Sequence, residues 1–396
     1  MRPIELCEGV HWVGAVDWDL RDFHGYTTEK GSSYNAYLVK AGKVALFDTV
    51  KLTAADQLIS NLRVLIDPKQ VDYIVLDHAE MDHTGALPEL IELCQPEKVY
   101  CSPDCEKVLK AHFHRDDWPI ELVKEGDALD LGGKTVRFFM AKMLHWPDSM
   151  VSYLEEDRIL ISNDIFGQHF ATSERFDDQV DAGELAWQAA KYFVNIFNPT
   201  AAAMRKLLAR LEAAEVKPAM LAPDHGVIWR AGVEQIWGRY QAWSSGETVD
   251  KAVLVYDTMW GSTASLAQAI GRGLASAGLS VKVFDLRYSH RSDIMTDVLD
   301  ARAVLLGSSV LNRDILPEMA AMVTYMRGLK PQNKVGAAFG SYGWANTAVK
   351  KLNEAMTEMK FELVGDGVSV QYRPTDDDLD RAHAFGAEIG AAAKAG

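Results

Sequence analysis

Short apolar runs of β type recur through the first 225 residues of this 396-residue chain, and helical patterns separate several of them. The runs read KVALFDT (43–49), VDYIVLD (71–77), EKVYCS (97–102), KTVRFFMA (134–141), RILISND (158–164) and AMLAPDH (219–225). TAADQLISNLRVLI and AGELAWQAAKYFVNIF are the clearest helical stretches between them. Many short strands with interleaved helices predict a layered α/β domain. The polar stretch WSSGETVDK (243–251) then reads as a linker. Beyond it AVLVY, SVKVFDL, AVLLGSSV and KVGAAFGSY alternate with helices such as STASLAQAIGRGLASAG. That alternation predicts a doubly wound parallel sheet. Two domains are expected, residues 1–248 and 249–396, with no internal repeat and no low-complexity segment.

With 48% hydrophobic and 24% charged residues the chain is expected to be globular. The opening MRPIELCEGV has no apolar stretch of secretory type, and no run of about 18 apolar residues occurs, so no membrane partner is expected. Four cysteines (Cys7, Cys94, Cys101 and Cys105) are too few for a disulfide scaffold and fit a reducing cytoplasm. Cys101 and Cys105 lack the second pair that a zinc or iron–sulfur site needs, so buried structural thiols are expected. The net charge of −15 is uneven: residues 251–396 carry 16 basic and 16 acidic side chains, residues 1–250 carry 25 and 40. Such a surface argues against nucleic acid as a partner, although acidity that simply aids solubility explains the charge as well.

LDHAEMDHTG (76–85) places His78, Glu80, Asp82 and His83 just past an apolar run. Three further strand ends supply His145 (MLHWPDS), Asp164 (SNDIF) and His225 (APDHG). Loops at strand ends are held rigid by the sheet, which is where sites are built. Four histidines and three carboxylates suffice for two metal ions, one carboxylate bridging. His11, His24, His112, His114, His169, His290 and His383 read as ordinary polar residues. The H-x-E-x-D-H block resembles the metallo-β-lactamase superfamily, whose hydrolases read H-x-H-x-D-H and bind zinc. Glutamate at position 80 adds negative charge and a hard oxygen donor, which favours iron; histidine with carboxylate is also the donor set of non-haem di-iron centres.

YDTMWGSTASLAQAI (256–270) puts Thr258, Met259, Ser262 and Thr263 between a strand and a helix start. Hydroxyls and free amides at a helix N-terminus cradle phosphate. The segment is neither a Walker A loop nor G-x-G-x-x-G, and it resembles the phosphate loop of flavodoxins, which hold FMN without a basic residue. LLGSSVLNRD supplies Ser308, Ser309, Val310, Leu311 and Asn312, and AAFGSYGWAN supplies Ser341, Tyr342, Gly343 and Trp344. Both loops end strands, where flavodoxin-like sheets bind their ligands. Asn312 is a candidate polar contact to the isoalloxazine, and Trp344 is either a stacking partner or a packing or interface residue.

Over essentially its whole length the chain resembles the flavodiiron proteins (A-type flavoproteins), with a close match to the rubredoxin:oxygen oxidoreductases among them. The resemblance implies a metallo-β-lactamase-like αββα domain followed by a flavodoxin-like domain. It also implies that His78, Glu80 and His145 bind one iron, that Asp82, His83 and His225 bind the other, and that Asp164 bridges. Tyr192 falls where the family often has a tyrosine near the irons, but reads equally as a core aromatic. The implied chemistry is reduction of O2 to water or of NO to N2O, with electrons passed through FMN. The family works as a head-to-tail homodimer, which sets one subunit's FMN against the other's irons. No C-x2-C pair occurs, so electrons are expected from a separate carrier such as rubredoxin; no nicotinamide fingerprint points to NAD(P)H. Two other classes compete: a zinc hydrolase fused to a flavodoxin module, and an electron-transfer flavoprotein with a degenerate metal site.

Overall fold

The computed structural model describes residues 1–395, which fall into two compact units. The first comprises Met1–Phe193 and Thr200–Gln241, and the second comprises Val194–Pro199 and the chain from Ala242 onward.

Two sheets build the first unit. Seven strands run in the order Ile4–Cys7, Val10–Trp12, Tyr37–Lys40, Val44–Phe47, Tyr73–Leu76, Lys98–Cys101 and Ile120–Leu122. Five more run Ala128–Asp130, Thr135–Met140, Met150–Leu154, Ile159–Ile161 and Met220–Ala222. The two-residue period of a strand decides what each side chain meets. Leu38, Leu46, Ile74 and Leu76 face outward onto Leu58 and Leu62 of the helix Ala55–Leu65 and Leu87 and Leu90 of the helix Leu87–Cys94. Their neighbours Tyr37, Val39, Phe47 and Val75 face inward onto Phe138, Met150, Leu154 and Ile161 of the second sheet. Because both faces are covered, these strands read as unbroken apolar runs. On the far side the helix Ala201–Ala213 is tied to the second sheet by Arg210, whose Nη2 donates to Met140 O, and by Arg137, whose Nη2 donates to Ala214 O. The layering is α-β-β-α.

Every strand expected in this unit forms, and the sheets also hold strands the sequence does not announce. Ile120–Leu122, Ala128–Asp130 and the N-terminal pair are three or four residues long and partly exposed, so they carry too little periodicity to stand out. The helix Ala182–Tyr192 does not run on as a regular helix through residue 197: Phe193–Phe197 winds as a π-helical turn. Cys101 and Cys105 are fully buried and all four thiols are free.

The second unit is a parallel sheet in the order Ser280–Asp285, Val249–Asp257, Ala301–Leu311 and Val335–Tyr342, with Glu362–Leu363 and Val368–Gln371 both pairing to the last. The helices Ser262–Ser276 and Asp376–Ala395 cover one face, with Ile270 and Ile389 against Leu254 and Leu305. Their backbones approach so closely at Gly273 that a Cβ there would strike His383 O.

Lys334 is buried at the N-terminal end of this sheet, where its Nζ donates to Leu299 O (3.0 Å) and Ala301 O (2.6 Å). Burial pulls its ammonium down from an ordinary 10.5 to about 7. The unfolded chain therefore binds the extra proton between those values, and stability rises with pH across that window. In Lys334→Met this rise is expected to vanish, so the Tm of the parent minus that of the variant should increase steadily from pH 7 to pH 10 in scanning calorimetry.

Candidate metal centre and flavin site

The seven residues that end apolar runs in the sequence converge at one edge of the first unit. His78 and Glu80 follow the strand Tyr73–Leu76, and Asp82 and His83 lie in the short helix Met81–Thr84. His145 follows Thr135–Met140, Asp164 follows Ile159–Ile161, and His225 follows Met220–Ala222. These last three strands point the same way in their sheet, so their C-terminal ends share an edge. Asp77 clamps the two sheet edges: its carbonyl accepts from Met150 N (2.9 Å) and Asn163 Nδ2 (3.1 Å), and its carboxyl accepts from Ser152 Oγ (2.7 Å).

The donor atoms form two groups, His78, Glu80, His145 and Asp164 in one, Asp82, His83 and His225 in the other. Asp164 joins them through its two oxygens. Oδ2 lies 3.4 Å from His145 Nε2 and 3.7 Å from His78 Nε2, while Oδ1 lies 3.3 Å from both His83 Nε2 and His225 Nε2. Glu80 Oε2 is 3.0 Å from His145 Nε2, and Asp82 Oδ2 is 3.3 Å from His225 Nε2. Separations of about 3 Å are the edges of a coordination polyhedron with bonds of about 2.1 Å. As hydrogen bonds they fail: both Asp82 oxygens, Asp164 Oδ2 and His83 Nε2 are buried without a hydrogen-bond partner among the described residues. Atoms so placed fit shared cations.

The imidazoles are oriented from behind. Nδ1 of His78 lies 3.0 Å from Asp148 Oδ2, Nδ1 of His225 donates to Ser33 O (2.7 Å), and Nδ1 of His83 is 3.4 Å from Asp224 Oδ2. Holding the proton at Nδ1 leaves Nε2 free to coordinate. Carboxylates and imidazoles in the cluster favour each other's charged forms. Burial opposes charge on Asp164, yet His83, His145 and His225 hold its carboxyl well below the usual range. Burial likewise opposes charge on His145 and His225, but Asp164, with Glu80 or Asp82, pushes them up to about 9 and about 10. A donor set of imidazole and carboxylate without thiolate suits iron.

Two histidines read as ordinary are not. The Nε2 of His24 sits 2.7 Å from Glu80 Oε1, at the turn of the hairpin Asp22–Phe23 and Tyr26–Thr27. His169 is buried with its ring 4.8 Å from that of His225 and 5.1 Å from Tyr192. Tyr192 itself donates its hydroxyl to Asp164 Oδ1 at 2.8 Å.

In the second unit a cavity of about 1100 Å³ opens at the C-terminal ends of the strands. Met259, Ser262, Ser309, Val310, Leu311, Asn312, Ser341, Tyr342, Gly343 and Trp344 all line it. Thr258, Thr263 and Ser308 do not. Thr258 Oγ1 accepts from Gly261 N (3.1 Å), closing the turn in which Gly261 takes φ +87°. Ser308 Oγ accepts from Leu316 N (2.9 Å). Thr263 meets Ser309 and Ser341 in a triangle of buried hydroxyls, with sides of 3.0, 3.0 and 3.1 Å. Trp260, Tyr372 and Arg373 line the cavity unannounced, the last two because the strand before them is short and half exposed. The turn opens the helix Ser262–Ser276, whose first amides have no intrahelical partner and suit a phosphate. Trp260 and Trp344 stand at the mouth 94% and 89% exposed, so Trp344 is no core residue. Bare indoles beside a cavity of this size fit a planar aromatic ligand.

Residues 33–226 match the model of the ODP family beta lactamases, and residues 254–386 match that of flavodoxin. The rubredoxin-oxygen oxidoreductase of Megalodesulfovibrio gigas is 43% identical over 100% of this chain and 99% of its own. The nitric oxide reductase of Moorella thermoacetica is 44% identical over 98% of each. The crystal structure of the flavodiiron protein from Giardia intestinalis superposes with a TM-score of 0.96 at 32% identity, covering 100% of this chain and 97% of that one.

Asp148 touches the cluster only through His78, and its Oδ2 also accepts from Ala79 N (2.7 Å). Asp148→Asn is expected to keep the fold by circular dichroism while weakening metal binding about tenfold in chelator competition.

Proposed function

The chain belongs to the flavodiiron family, and on that premise we propose that it is an oxidoreductase reducing O2 to water, NO to N2O, or both. The observation that carries the reading is Asp164, whose two oxygens face two separate groups of donors. In this reading His78, Glu80 and His145 hold one iron, Asp82, His83 and His225 the other, with Asp164 bridging; FMN occupies the cavity of the second unit. The division is then a di-iron domain of residues 1–248 and an FMN domain of residues 249–396. When bound, the irons offer a reducing site for O2 or NO, and FMN stores the electrons that reach it.

The chain's own residues set the conditions for that chemistry. Tyr192 fixes one Asp164 oxygen through its hydroxyl. The hydrogen bond to Glu80 raises the His24 imidazole above its ordinary range, which favours a proton at Nε2 beside the site. Phe23 packs its ring 4.7 Å from His169 and 6.2 Å from His225, placing apolar surface on that side.

A rubredoxin-like carrier is the proposed donor, in keeping with the relative named for it. A head-to-tail homodimer is supported by apolar surface beside each site: Met81 and Met143 near the metal donors, Trp260, Trp344 and Tyr372 around the flavin cavity. A second copy so placed covers both. The free thiols accord with a reducing, cytoplasmic setting.

Metal and flavin content of the purified protein is the first test, followed by O2 and NO consumption with reduced rubredoxin as donor. Iron with FMN and gas uptake support the reading. Zinc without uptake would replace it with the hydrolase alternative. Glu80→His, which restores the zinc-type motif, is expected to lower the iron-to-zinc ratio several-fold in cells supplied with both metals, read by elemental analysis.

A further inference from the structure

The turn that suits a phosphate carries no basic residue between Tyr256 and Ala264. Yet two arginines, Arg313 and Arg373, line the same cavity, against one carboxylate, Asp376. Among the described residues neither guanidinium has an ion-pair partner, although the nearby carboxylate of Asp314 is paired with Lys351 at 2.6 Å. Both arginines stand on built turns. Arg313, at φ +64°, and Asn312, at φ +51°, close the hairpin between Ala301–Leu311 and Asp314–Ile315. Arg373 follows Tyr372, which takes φ +57° and is pinned by its N–H to Tyr342 O at 2.7 Å. A bulky residue in that backbone region is strained and persists where the surroundings dictate it.

The place of Arg373 in the sheet separates it from the phosphate. Arg373 ends the strand Val368–Gln371, which lies three strands across from Val249–Asp257 and its phosphate turn. At about 4.8 Å per strand that is about 14 Å, which would set Arg373 toward the ring end of an FMN whose phosphate lay at the turn. Arg313 stands one strand from the turn, on a hairpin that lines the same cavity as Gly343 and Trp344.

We propose that Arg313 and Arg373 set the reduction potential of the bound flavin by holding the negative charge that reduction leaves on its ring. Uptake of two electrons, delivered singly by the carrier protein, and one proton turns a neutral ring into an anion. A guanidinium beside the ring is indifferent to the oxidised form and attracts the reduced one, so it raises the potential. The residues act on the electron supply rather than on the irons. The inference rests on the cavity being the FMN site.

The test is a spectroelectrochemical titration of the FMN-loaded protein, alongside Arg373→Gln, Arg313→Gln and Arg373→Lys. Each glutamine variant is expected to disfavour the reduced flavin about tenfold, which is about 30 mV lower for a two-electron couple; Arg373→Lys should recover most of the loss. Sulfite, which adds to the oxidised ring and makes it anionic, should bind the glutamine variants about tenfold more weakly. Full FMN occupancy with unmoved potential and sulfite affinity overturns the proposal. So does weakened FMN binding with riboflavin binding unchanged, since the guanidinium then serves the phosphate. Absence of FMN from the parent protein would instead overturn the reading of the cavity itself.

Discussion

Burying three carboxylates within reach of one another is the constraint around which the first unit is organised. Glu80, Asp82 and Asp164 are all less than one-tenth exposed, and a buried charge without a partner costs several kcal/mol. Imidazoles answer part of that cost, but they are themselves raised and repel one another. Only shared cations satisfy both sets at once. The two sheets supply the rigidity, since the donors hang from strand ends that are hydrogen-bonded together through Asp77.

How much of this the sequence discloses depends on where each residue sits. His78, His145, Asp164 and His225 stand out because each follows an apolar run, and a polar residue there has a fixed address. Asp148, Asp224 and Ser33, which orient the imidazoles, are invisible: their role comes from a tertiary approach across 70, 141 and 192 positions of chain. His24 is missed for a related reason. Its hairpin has two-residue strands, too short for any period, and nothing local signals that its turn closes over Glu80.

The flavodoxin-like unit divides in the same way. Its central strands are read easily because their alternate residues are buried on both faces. Val368–Gln371 is four residues long with one of them buried, so the edge of the sheet and the arginine after it escape notice. Thr263 stands apart from the other hydroxyls of its turn. A hydroxyl at a helix start suggests a ligand contact, yet its oxygen is engaged by Ser309 and Ser341. Residue type identifies the neighbourhood, and packing decides which atoms face the cavity.

That hydroxyl triangle has a dynamic consequence. Three O–H groups in a ring can each donate to the next, and two circulations of the protons, clockwise and anticlockwise, are equivalent. Thr263, Ser309 and Ser341 therefore tie the start of one helix to the C-terminal ends of two strands while leaving the protons free to reverse. Hydrogen bonds among these groups are made within the fold itself, so the entropy of ordering them is lost on folding rather than on binding. Preorganisation of this kind acts mainly on dissociation. A flavin seated here would meet hydroxyls whose positions the fold has already fixed.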